Sequence, residues 1–196
     1  MNCNQLNEVF DLIDVANSKD TESTGPNDNL RPAALVYGER MSGALERFKK
    51  SPSNHLQIAA RAQHIERWTC PRASYPEGRA GYLKWRTDLK SFHARRAGEL
   101  MQEAGYSQSD IDRVGALVRK KGLKRDPEAQ VLEDVACLVF LEHYAEEFIA
   151  KHEDEKVVDI LRKTIRKMSA DGVEAAKQIG LEGRLADLLH RALDDI

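Results

Sequence analysis

The amino-acid sequence predicts an all-α protein: a single domain of about eight helices around one central apolar helix at 127–150. Three observations carry this. Apolar residues recur at three- and four-residue spacing in segment after segment, while strict alternation of apolar and polar residues is almost absent. Helix signals stand at the segment ends: Asp126-Pro127 has the order of an N-cap and first helical proline, and Gly105 and Gly122 sit where helices would stop. With 196 residues, 41% hydrophobic and 32% charged, the chain has enough apolar content for one core and is too charged for residence inside a bilayer.

Leu6, Val9, Phe10, Ile13 and Val15 mark a first helix, and the polar stretch that follows predicts a flexible loop at about 17–31. Pro32 suits the first turn of a second helix reaching Lys50, and Ser51-Pro52-Ser53 separates it from a third over Asn54 to Trp68. Thr69 to Gly81, with Pro71, Pro76, Gly78 and Gly81, cannot be helical throughout. A fourth helix is expected from Ala80 to Ala104, and a fifth, capped by Ser107 or Ser109, to Lys121. The sixth opens at Asp126-Pro127 and runs for about 25 residues; its middle, VLEDVACLVFL, is apolar on almost every side, as suits a helix surrounded by others. Amphipathic helices complete the chain through Val157 to Met168, Val173 to Ile179 and Leu185 to Leu193.

No run approaches the roughly 18 apolar residues that span a bilayer, and MNCNQLNEVFDLID has neither a basic nor an apolar leader region. The expectation is a cytoplasmic protein without a membrane partner. Cys3, Cys70 and Cys137 are odd in number and lack metal-type spacing, so they read as free thiols. The net charge of −2 is unevenly spread: residues 61–125 carry 15 basic against 7 acidic groups (+8), and residues 126–196 carry 9 against 17 (−8). Such a cationic block suits a phosphate-bearing ligand or nucleic acid, or pairing with the acidic third inside the fold.

Asp134 lies on the apolar stripe of Val131, Leu138 and Leu141, beside Glu133. A carboxylate there requires a metal, a cation or hydrogen-bond donors, so it reads either as a metal ligand or general base, or as one half of a buried salt bridge with an arginine. His64 and His93 sit on apolar faces of other helices, where core histidines are also common. With Asp134 they form a candidate ligand set for Mn, Fe, Zn or Mg, with Glu133 or Asp88 handling a proton or water. In the loop TCPRASYPEGRAG, Arg72 and Arg79 are candidate anion ligands, joined by Lys120 and Lys121 at a helix end. Trp68 and Trp85 flank the loop and could stack on a base or belong to the core, the better reading. Glycine-rich nucleotide loops, H-E-x-x-H and G-x-S-x-G are missing.

The run from HIERW through CPRASYPEGRAGYLKWRTDLKSFHARRAGELM to VRKKGLKRDPEAQVLEDVACLVFLEHY resembles an uncharacterised family of bacterial and fungal proteins, the DUF4202 domain of unknown function, from about Tyr37 onward. A more distant similarity is to the HD-domain phosphohydrolases, helical metalloenzymes whose pattern is a histidine, a His-Asp pair and a later aspartate. His64 resembles the first histidine and Asp134 the final aspartate, but the pair is missing, since Ala94 follows His93; Asp88 is the available substitute. That likeness implies an HD-like helical fold and metal-assisted hydrolysis of a nucleotide or other phosphate ester. The alternative from the same residues is a non-catalytic module for an anion, nucleotide or RNA. A third is a helical interaction protein whose charge asymmetry drives association.

Overall fold

In a computed structural model, which describes residues 3–25 and 29–194, the chain is all-α. Its helices are α1 (Cys3–Asn17), α2 (Ala33–Phe48), α3 (Asn54–Arg61), α4 (Gly78–Glu103), α5 (Gln108–Val118), α6 (Pro127–His143), α7 (Ala145–Ile149), α8 (Asp154–Ile165), α9 (Ala170–Gln178) and α10 (Gly183–Leu193). Short 3-10 turns at Arg67–Thr69 and Arg72–Ser74 join α3 to α4. The chain falls into two compact units, Met1–Gly122 and Leu123–Ile196. Among the described residues no helix is long and apolar enough to cross a membrane.

In the first unit α1 buries Val9, Ile13 and Ala16, and α2 buries Met41, Ala44 and Leu45. α4 packs along α5, which also meets α3. The loop between α1 and α2 contains a minimal antiparallel pair, β1 (Ser23–Thr24) with β2 (Arg31–Pro32), while residues 26–28 of the expected flexible loop lie outside the described residues. Asp20 holds the far end by accepting the Ala34 N–H at 2.9 Å, and Pro32 is the N-cap of α2 rather than part of its first turn. Ser53 and Ser107 cap α3 and α5 by accepting the Leu56 and Asp110 N–H groups at 3.1 and 3.3 Å.

The third helix is shorter than its apolar spacing predicts. α3 ends at Arg61, and the chain continues in tight turns to Glu66, whose φ of 48° and ψ of 34° are left-handed. The cause is tertiary. Asn17, buried at 1% exposure, accepts the Glu66 N–H at 3.0 Å, and Arg96 holds the Glu66 carboxylate at 2.8 Å. These bonds offset a conformation that a non-glycine residue adopts at some cost.

In the second unit Asp126 caps α6 through the Glu128 and Ala129 N–H groups, with Pro127 at the first position, as its sequence predicts. The expected continuous helix 127–150 is broken at Tyr144, where φ is −130°. Phe140 and Phe148 then meet edge to face at 6.1 Å. Eight residues of unbroken helix would set them about 12 Å apart along the axis, so the break is what lets the rings pack. α6 buries Leu132, Val135, Leu138, Val139 and Leu141 and packs on α9 and α7, while α8 packs on α10.

Candidate anion site in the first unit

The turns after α3 carry His64 and Arg67, and α4 carries Tyr82, Trp85, Arg86 and His93. Gly81 lets the connecting loop lie down on α4: a Cβ there would sit 1.9 Å from the Pro76 carbonyl oxygen. Trp85 Nε1 donates to the Cys70 carbonyl at 2.9 Å, which fixes the indole beside the turns. The Arg67 guanidinium then lies over the Trp85 ring, 4.9 Å from its centroid, within cation–π range.

Two imidazoles complete the cluster. His93 is 3% exposed, and the Ile65 carbonyl lies 2.8 Å from its Nδ1, so Nδ1 carries the proton and Nε2 presents a lone pair. That Nε2 is buried without a hydrogen-bond partner among the described residues. Burial pushes the His93 pKa down to about 4, partly opposed by the Ile65 bond. His64 stacks on Tyr37 with centroids 4.1 Å apart and lies 5.8 Å from the His93 ring. Its Nε2 faces an Arg67 N–H at 3.3 Å and therefore accepts. Burial, then the charges of Arg67, Lys120 and Arg86, keep the His64 pKa well below 6.5, so both rings are neutral near pH 7.

Arg67 is the unusual member. Burial moves its pKa down from the ordinary arginine value, and Arg86 adds to this. Among the described residues no carboxylate lies within ion-pair distance of it, whereas Arg61 pairs with Asp14 and Arg96 with Glu66. Lys120, which has a left-handed φ of 56°, adds charge on the His64 side. The result is a half-buried cluster of positive charge in contact with aromatic and neutral imidazole rings.

The other residues that the sequence singles out have different surroundings. Arg72 donates to the Tyr75 and Pro76 carbonyls at 3.0 and 2.9 Å, so its guanidinium organises the loop. Arg79 and Lys121 are exposed, and Lys120 contributes to the charge around His64. Asp88 accepts from Tyr75 Oη at 3.0 Å and Lys84 Nζ at 2.7 Å, bonds that hold its pKa below the usual carboxylate value, opposite to the shift a general base near neutral pH requires.

Glu133 and Asp134 belong to the second unit and are both buried. Asp134 Oδ1 accepts from the Ser169 N–H at 2.8 Å and Gln130 Nε2 at 3.0 Å, and Oδ2 from the Ser169 hydroxyl at 2.6 Å. The partner of this carboxylate is therefore the N-terminus of α9, in place of an arginine. Its lone pairs are committed to donors, a poor fit to a metal ligand. Among the described residues no group of three or more His, Cys, Asp or Glu side chains is gathered to hold a metal ion.

Arg67 and Tyr82 had no motif to announce them. The available signal was the i, i+3 spacing of His64 and Arg67 within HIERW, and of Tyr82 and Trp85 at the start of α4.

The family described as Domain of unknown function (DUF4202) matches residues 7–189, and the chain belongs to it. No curated protein and no solved structure matches the chain.

Proposed function

We propose that this member of the DUF4202 family is a binding module for a small phosphate-bearing anion, received by Arg67 with His64, Arg86 and Lys120 around it. One observation carries the reading: Arg67 is half-buried against Trp85 and His64 yet has no carboxylate partner among the described residues. A buried charge without a counter-charge is costly, and an incoming anion supplies that counter-charge in a bidentate geometry suited to guanidinium. Titration calorimetry with pyrophosphate, repeated at rising salt, tests the proposal. Saturable, salt-sensitive binding that is lost in Arg67→Ala and kept in Arg72→Ala is the expected result. Equal binding by wild type and Arg67→Ala would remove it.

The phosphohydrolase reading makes a different demand, a divalent ion held by His64, His93 and Asp134. His93 Nε2 presents a lone pair suited to such an ion, but His64 Nε2 accepts from Arg67 and Asp134 is committed to Ser169, which argues against either joining it. Pyrophosphate binding in excess chelator separates the two, since it persists only where the protein's own cations hold the anion.

A further inference from the structure

We infer that the ligand of the Arg67 site is a nucleoside phosphate, whose base stacks on Tyr82. The inference rests on the anion reading above and adds the part of the ligand that the cations do not address. Tyr82 is 42% exposed and its neighbour Leu83 is 52% exposed, large apolar surface left open on the first turns of α4. The Tyr82 ring is tilted at 45° to Trp85, with centroids 6.0 Å apart, so the two rings form an open step rather than a closed stack. Arg86 lies over Tyr82 at 5.9 Å from the centroid, and its N–H reaches the Tyr82 hydroxyl at 3.4 Å.

Arg67 therefore touches Trp85, Trp85 touches Tyr82 and Arg86 touches Tyr82, so two guanidinium groups accompany one aromatic pair. An aromatic ring beside guanidinium groups and open to solvent is the platform on which nucleobases stack, since every base offers a π face. Arg67 and Tyr82 share Trp85 as a neighbour. Their separation therefore cannot exceed the two distances to it laid end to end, which is within the reach of a nucleotide from base to phosphate. A bare inorganic anion has no use for the exposed ring. A longer nucleic acid would need further exposed stacking positions, and among the described residues Tyr82 is the only exposed phenylalanine, tyrosine or tryptophan side chain.

The test compares adenosine 5′-monophosphate, ribose 5-phosphate, adenosine and pyrophosphate on the full chain by titration calorimetry. One stacked base contributes about tenfold or more in affinity, so the nucleotide is expected to bind at least about tenfold more tightly than ribose 5-phosphate. Tyr82→Ala, a change at an exposed position, is expected to bring the two within about twofold, whereas Tyr82→Phe is expected to keep the preference. If pyrophosphate binds and the nucleotide gains nothing over ribose 5-phosphate, the base platform is refuted and the anion site stands. If adenosine binds in a Tyr82-dependent way and pyrophosphate does not, the anion site falls and with it this ligand class. Absence of binding by all four overturns both.

Discussion

Replacing Asp134 with leucine removes a carboxylate that organises the start of α9. The Ser169 N–H and hydroxyl reach it at 2.8 and 2.6 Å, and the Ser169 oxygen in turn accepts the Gly172 N–H at 3.0 Å, so one side chain fixes both the cap and the residue that does the capping. Hydrogen bonds to a charged acceptor are worth about 1.5–3 kcal/mol each, and a buried N–H left without a partner costs about 1–3 kcal/mol. Gln130 retains the Lys167 carbonyl at 2.8 Å, so only one of its two bonds disappears. Because these terms overlap in one network, the expected destabilisation is about 3–5 kcal/mol rather than their sum. Urea unfolding of chelator-treated wild type and Asp134→Leu measures it, with Asp134→Asn in between because it keeps one acceptor oxygen. A change below about 1 kcal/mol in metal-free protein would refute the capping role, since a carboxylate held in reserve for an ion should be dispensable without that ion.

Gly172→Ala places a Cβ 2.7 Å from the Asp134 carboxylate, and a loss of about 1–3 kcal/mol is expected in the same unfolding assay. Arg67→Met is expected to change ligand-free stability by less than about 1 kcal/mol, because the variant forfeits the cation–π attraction to Trp85 but also removes an uncompensated desolvated charge. A loss of about 3–5 kcal/mol would instead reveal a carboxylate partner left unpaired. His93 gives a pH signature: its folded pKa of about 4 lies below the unfolded value near 6.5, so the unfolded chain binds the extra proton between them. Stability from His93 is thus full above pH 6.5 and declines as the pH falls towards 4, by up to about 3 kcal/mol. The slope difference between wild type and His93→Gln in pH-dependent thermal unfolding isolates it, and parallel curves would contradict the assignment. Burial of His64 acts in the same direction.

What the sequence determined by itself is local. The spacing of Val157, Leu161 and Ile165, the Asp126-Pro127 start of α6 and the serine cap at Ser107 each specify a helix through neighbours in the chain, and each appears in the structure. His93 was legible as a residue on a buried face for the same reason. What only the tertiary structure decided depends on distant partners. α3 stops at Arg61 because Asn17 and Arg96 hold Glu66 left-handed, and α6 breaks at Tyr144, where no glycine or proline marks a break and Phe148 returns to Phe140. Asp134 was legible as a buried carboxylate but its partner was not, since Ser169 lies 35 residues away. Arg67 carries the same lesson: an arginine in the sequence has no environment, and only the tertiary structure sets it half-buried against Trp85 and His64 without a carboxylate among the described residues.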